Sequence, residues 1–336
     1  MLVTYARMAY PTTIHSSQVP QVRQEMDFLD SSFFQSKQPS QHLPTPAEVR
    51  ALSELKNPRP PPVIIEHLNL LVKFGPRVTV AEAQCLWLIR RILGDEVPVP
   101  EVYGWRVDGL EVFIYMQLVR GVTLKDRWEH LNALEKTSVC GQLCRMVTSL
   151  RQLKQEPSDQ FIGMLCVISK KQDNCDMFWP TTGSVNHQTP QDIIFRNMPV
   201  DGPFSGVKPF NDWFSSLPQR FLADSQKFQD PLRPLLPDNG AITFTHADLH
   251  EENILISQHG PPQILAIVDW GQSGWYPDYW EYCKAAYTCM YSGEWRMQWI
   301  PMFLAPRLDE HEAFSEYVMA IGALWKHDPI LCIWEP

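Results

Sequence analysis

The chain has 336 residues, 44% of them hydrophobic and 11% aromatic, which exceeds what one hydrophobic core usually supports and is enough to fill two. A formal net charge of −9 excludes the basic surface of a general nucleic-acid binder or of a protein held on anionic membranes, and tolerates a cationic small molecule. No apolar run is long enough to cross a bilayer, no signal-peptide core follows Arg7, and the eight cysteines contain no C-x-x-C pair, so a soluble cytoplasmic protein in a reducing compartment is expected.

Residues 1–44 are rich in Gln, Ser and Pro and read as a loosely ordered N-terminal arm or an arm on a small lobe. Thr45-Pro46-Ala47-Glu48 opens a helix toward Lys56, and Asn57 to Pro62 is a stiff linker. Val63-Ile64-Ile65 and Leu70 to Phe74 read as strands, the second ended by Gly75-Pro76. A helix then runs from Thr79 to Leu93 with Gly94 beyond its end. Val112 to Met116 is the last strand of a small lobe spanning 45–117. A large lobe over 118–325 starts with a helix from about Leu134 to Lys154, whose Val139, Leu143, Met146, Val147 and Leu150 repeat at helical spacing. Residues 164–183 lack either periodicity and read as an insertion, a surface loop or an intron translated by a faulty gene model. Ile254 to Ile256 and Ile264 to Val268 flank a turn at Pro261, and 326–336 form a tail.

A hairpin at Pro261 sets Asn253 opposite Asp269. An amide carbonyl and a carboxylate at its open end suit a hard cation such as magnesium. Asp248 precedes that end by one loop. Taken singly, an Asp or Asn in such a loop is more often a turn former than a catalyst. Upstream, Glu82 shares a helix face with Leu86, Ile89 and Leu93, so it points inward and needs a cation, for which Lys73 is available. Thr79-x-x-Glu82 is also a capping box, and a lysine at a strand end can simply guard an exposed edge; both alternatives stay open.

The pattern His246-x-Asp248-x-x-x-x-Asn253, followed by the strand-terminal Asp269, resembles the catalytic and metal loops of the aminoglycoside phosphotransferase and choline-kinase-like enzymes, which share the protein-kinase fold. The resemblance implies an α+β, two-lobed protein-kinase-like architecture with a small β-rich N-lobe and a larger, mostly helical C-lobe. It also implies an ATP- and magnesium-dependent kinase acting on a hydroxyl of a small acceptor. By that likeness Asp248 is the catalytic base, Asn253 and Asp269 hold magnesium, and Lys73 contacts the nucleotide phosphates while Glu82 holds it in place. The stretch from Met116 to Leu124 resembles the hinge, with Met116 against the adenine ring and backbone groups near Gln117 and Val119 bonding to it. No Ala-Pro-Glu follows Asp269, which speaks against a protein kinase.

Two departures from the pattern matter. The family often has Gly where Ala247 stands, and an Ala fits only if the backbone does not need positive φ. No glycine precedes Gly75, although such enzymes usually cover the phosphates with a Gly-rich turn; a catalytically weak or inactive kinase-like binding protein is the alternative. The aromatic run from Trp270 to Tyr282 can be an acceptor box or the buried side of a helix. His250, Asp278 and Glu281 are candidate acceptor contacts, with a loop-ordering hydrogen bond as the other reading of His250.

Overall fold

The structure, a computed structural model, describes residues 12–14, 18–36, 42–53, 60–165, 187–199 and 201–322. Its strands are β1 (Glu25–Asp27), β2 (Val63–Ile65), β3 (Leu70–Gly75), β4 (Val102–Asp108), β5 (Glu111–Gln117), β6 (Ile242–Thr245), β7 (Ile254–Ile256), β8 (Ile264–Ile267) and β9 (Gly274–Pro277), besides five two-residue strands. The main helices are α1 (Pro46–Leu52), α2 (Val80–Leu93), α3 (Ala133–Arg151), α4 (Val207–Ser216), α5 (Trp280–Tyr287) and α6 (Leu308–Ile321). The fold is α+β and protein-kinase-like, sheet-rich in its N-terminal part and mostly helical in its C-terminal part. Two compact units divide the chain: one runs up to Asp159 and takes back Glu251–Gly271, and the other takes Gln160–Leu165, His187–His250 and the chain from Gln272 onward.

The first unit is built on a five-stranded antiparallel sheet in the order β1-β4-β5-β3-β2. Alternation along β3 decides what each face does. Leu70, Val72 and Phe74 point into a core with Val63, Ile65, Phe113 and Tyr115, which is closed by Phe33, Leu43 and Val49 from the N-terminal segment. Leu71 and Lys73 fall on the opposite side. Thr79 caps α2 by accepting the Glu82 N–H, and Gly94 ends it with φ +52°. Helix α3 begins at a capping box between Asn132 and Glu135, and its buried stripe includes the five predicted positions. It stops at Arg151, because Leu153–Lys154 instead pairs in parallel with Thr12–Thr13.

Strands β7 and β8 pair antiparallel, Ile254 with Ile267 and Leu255 with Ala266. Gln142 on α3 steadies their turn, donating to the Pro262 carbonyl and accepting the Ile264 N–H, both at 2.9 Å.

In the second unit, β6 pairs with β9, setting Thr245 opposite Gly274 and Phe244 opposite Trp275. Helices α4, α5 and α6 pack around Trp280, which is fully buried among Phe195, Phe210, Phe214, Tyr276 and Phe314 at ring separations of 5.1–5.6 Å. Five aromatic rings within 5.6 Å make this indole a hub of the unit's core, since each large buried side chain contributes about 1.5–3 kcal/mol.

Some expectations need adjusting. Residues 25–27, read as part of a loosely ordered arm or of an arm on the small lobe, are an edge strand of the sheet, and β4 was not anticipated. The helix opened by Thr45 ends at Leu52. Of the suggested insertion only Met164–Leu165, a two-residue strand, is described; the rest of it, the first half of the linker and the C-terminal tail lie outside the described residues. Among the described residues no helix is long and apolar enough to cross a membrane.

Candidate active site

The first unit gathers three charges. Lys73 Nζ lies 2.7 Å from Glu82 Oε1 and 2.7 Å from Asp269 Oδ1. The Glu82 side chain is 3% exposed and that of Asp269 is 48% exposed, so the cluster runs from the interior of α2 out to solvent. The Glu82 carboxylate reaches Lys73, and its backbone N–H alone serves the Thr79 cap. Burial disfavours the Lys73 ammonium, yet Glu82 and Asp269 outweigh it and hold its pKa above the ordinary lysine value. Burial pushes the Glu82 carboxyl up, and Lys73 with the Trp270 backbone N–H pulls it part of the way back.

Asp269 and Asn253 stand at the open end of the hairpin. The Val268 N–H donates to the Asn253 carbonyl at 2.9 Å, so pairing continues one step past the named strands before Asp269 turns away with φ +62°. Trp270, fully buried, fixes the turn by donating Nε1–H to the Ile267 carbonyl at 2.9 Å. At Gly271 a Cβ would lie 3.4 Å from Glu82 Oε2 and 3.6 Å from Asp269 Oδ1, so the loop passes close over the ion cluster.

An amide and a half-exposed carboxylate are hard oxygen donors that fit magnesium. That ion keeps several waters and takes phosphate oxygens in place of an all-protein cage. Among the described residues no three His, Cys, Asp or Glu side chains group to hold a metal by themselves.

Next to Asn253, Lys125 pairs with Glu252 at 2.5 Å, and burial raises the neighbouring Glu251 carboxyl to about 7 against the pull of Lys125. At the expected hinge Met116 is buried and paired with Leu71, while the Gln117 N–H donates to the Glu101 carbonyl at 2.8 Å and is committed to the sheet.

The second unit carries Asp248 on a loop that follows β6. Glu281, on α5, holds that loop: Oε2 accepts the His246 N–H at 2.7 Å and Oε1 accepts the Ala247 N–H at 3.1 Å. Ala247 has φ +62°, so the backbone does require the left-handed region, at a cost of about 1–2 kcal/mol for a residue with a Cβ. The Asp248 N–H donates to His246 Nδ1 at 3.2 Å, which leaves the proton of the buried neutral ring on Nε2. Asp248 is 17% exposed, and His250 Nε2 lies 3.8 Å from its Oδ1. The His250 N–H also donates to the Asp248 carbonyl at 3.0 Å, a loop-ordering contact.

The other expected acceptor contacts are engaged elsewhere. Glu281 is 6% exposed with both oxygens on the loop backbone, and Asp278 Oδ2 is held by Arg307 at 2.6 Å. Trp275, Tyr276, Tyr279 and Trp280 are all buried, so this part of the aromatic run is core and not an open box.

Two features escaped the sequence reading. The loop-holding role of Glu281 has no local signal beyond an acidic residue on a mostly apolar helix. The second is a buried pair between Lys284 Nζ and Asp192 Oδ1 at 2.6 Å, supported by Trp280 Nε1–H to Asp192 Oδ2 at 3.0 Å and by Gln272 Oε1 at 3.0 Å from the ammonium.

No curated protein matches the chain. The solved structures that resemble it, all distantly, include three aminoglycoside phosphotransferases. A thermostable mutant of aminoglycoside phosphotransferase APH(4)-Ia in ternary complex with ADP and hygromycin B is 14% identical, with 76% of this chain and 77% of that one covered at a TM-score of 0.41. Aminoglycoside-3'-phosphotransferase of type VIII is 15% identical over 76% and 78% at a TM-score of 0.37. The streptomycin-ATP-APH(2")-IIa ternary complex is 13% identical over 64% and 63% at a TM-score of 0.34. The family model described as the phosphotransferase enzyme family (APH) matches residues 67–317. That span is well over half of the chain and includes Lys73, Glu82, Asp248, Asn253 and Asp269; the chain belongs to the APH phosphotransferase enzyme family.

Proposed function

We propose that this phosphotransferase moves the γ-phosphoryl group of ATP to a hydroxyl of a small acceptor, with magnesium as the accompanying ion. The observation that carries the reading is the Lys73 ammonium, held 2.7 Å from both Glu82 and Asp269. A lysine fixed by a buried carboxylate and touching a half-exposed one is a cation placed for phosphate oxygens beside a metal ligand. An acidic chain of net charge −9 also suits a cationic acceptor.

In this mechanism Lys73 binds phosphate oxygens and gives up its contact with Asp269, while Glu82 keeps it in place. Asn253 and Asp269 would hold magnesium, which when bound neutralises phosphate charge. Met116 would pack on the adenine, and backbone groups near Gln117 and Val119 would bond to it. Asp248 orients the acceptor hydroxyl and takes its proton as the oxygen bonds to the γ-phosphorus; the bond to the β-phosphate oxygen breaks and ADP leaves. His250, 3.8 Å from Asp248, is placed to contact acceptor or phosphate.

The test is ATP turnover by wild type and Asp248→Ala over a panel of amino sugars and aminoalcohols, together with ATP binding by calorimetry. Asp248→Ala should lose about 10² to 10⁴-fold in kcat while still binding ATP. Wild type that binds ATP and phosphorylates nothing would favour a binding protein of this fold; wild type that does not bind ATP would end the proposal.

A further inference from the structure

Helix α2 is buried on more than the side that carries Glu82. Every residue from Val80 to Leu86 is buried, as are Leu88 and Ile89, and a helix covered all round needs neighbours on opposite faces. Glu82 and Gln84 lie two residues apart, about 200° around the axis, so they address opposite sides. Glu82 meets Lys73. Gln84, fully buried, meets the N-terminal segment, donating Nε2–H to the Pro20 carbonyl at 2.5 Å.

One turn further along α2, Phe28 stacks on Trp87 at 5.7 Å and 23° and meets Trp105 of β4 edge-on at 5.6 Å. The same segment is fastened to the sheet. Trp105 Nε1–H donates to the Arg23 carbonyl at 2.9 Å, the Phe28 N–H donates to the Tyr103 carbonyl at 2.9 Å, and β1 pairs with β4 between these points. Val19, 4% exposed, is buried beside Pro20. Residues 18–28 lie outside the family match, which begins at residue 67.

We propose that residues 18–28 are a clamp that joins β4 to the outer face of α2 and so holds Glu82 against Lys73. Phe28 and Gln84 are positioning residues: they touch neither phosphate nor metal, and they act through the helix that carries the Lys73 partner. The catalytic consequence rests on the reading of Lys73 as a phosphate contact; the mechanical part does not.

The experiment uses the full chain with Phe28→Ala, the milder Gln84→Met, and Leu143→Ala in the α3 core as a control for general destabilisation. Hydrogen exchange and ATP kinetics are measured for each. For Phe28→Ala, amides of residues 80–93 should exchange faster while those of α3 keep their protection. The KM for ATP should rise about tenfold with kcat nearly unchanged, as expected if only a tenth of the molecules hold Glu82 in place. Gln84→Met should move both readouts the same way by less, which keeps the test alive if Phe28→Ala does not fold. Leu143→Ala should lower the melting temperature without changing the KM for ATP.

The clamp is overturned if α2 keeps its protection in both variants, or if Leu143→Ala raises the KM for ATP as much as they do. If wild type binds no ATP, the functional reading falls and exchange alone decides the clamp.

Discussion

Glu281 Oε1 accepts the backbone N–H of Ala247 at 3.1 Å, and Ala247 sits at φ +62°, where a residue with a Cβ is strained. A buried carboxylate on α5 thereby keeps the loop of Asp248 in a conformation that its own residue disfavours. With His246 N–H on its other oxygen, Glu281 fixes two successive peptide groups immediately before Asp248.

Replacing Glu281 should therefore reach Asp248 through the backbone. Glu281→Gln keeps the volume but sets an NH2 group against one of the two N–H donors, leaving it unpaired at a cost of about 1–3 kcal/mol. The expected result is a lower melting temperature together with a fall in kcat and little change in the KM for ATP. Urea denaturation and steady-state kinetics on the same preparation check both parts.

Ala247→Gly should act in the opposite direction. Glycine removes the left-handed penalty of about 1–2 kcal/mol and returns part of it as unfolded-chain entropy, for a net gain of roughly 0.5–1 kcal/mol. Ala247→Val should lose stability. Chemical denaturation midpoints compared at one pH decide it, and a Gly variant less stable than wild type contradicts the strain.

The Lys73 cluster separates stability from binding. Lys73→Met leaves Glu82 buried at 3% exposure without its ammonium and should destabilise by about 1–3 kcal/mol, less than for a fully buried pair because Lys73 is itself 27% exposed. Lys73→Met combined with Glu82→Leu should regain most of that stability, and neither variant should bind ATP measurably. Recovery of ATP binding in the double variant would remove Lys73 from the phosphate site.

Glu251 gives a pH signature. Burial raises its folded pKa to about 7 from the ordinary 4.5, so its protonated form is favoured in the fold. Stability from this group is therefore fully present below pH 4.5 and is lost as the pH rises through about 7. The stability difference between wild type and Glu251→Gln should fall across that window and be flat on either side. A difference that does not vary between pH 4 and pH 8 refutes the raised value.

Much of the first unit was readable because its signals are local. Strands β2 and β3 are short apolar runs bounded by prolines and a glycine, and α2 has Thr79 before it and Gly94 after it. Strand β4 was missed for a reason that is not local. Its third residue is Gly104, a weak strand former, and a Cβ there would lie 2.2 Å from the Met26 carbonyl. The glycine serves a partner strand far away in sequence, and that partner, Glu-Met-Asp, has no strand pattern of its own. The same holds at the loop of Asp248. The residue pattern singles out Asp248, Asn253 and Asp269 as candidates, whereas the left-handed Ala247 and its Glu281 support depend on a residue 34 positions downstream.

The sheet of the first unit closes at β2, three residues long, with Ile64 more than half exposed. Prolines at 60, 61 and 62 lead directly into it and bring no N–H to the rim. A foreign chain approaching this border therefore meets a short run of donors beside imide nitrogens, so intermolecular β-pairing is discouraged where the greasy Ile64 would otherwise invite fibrils.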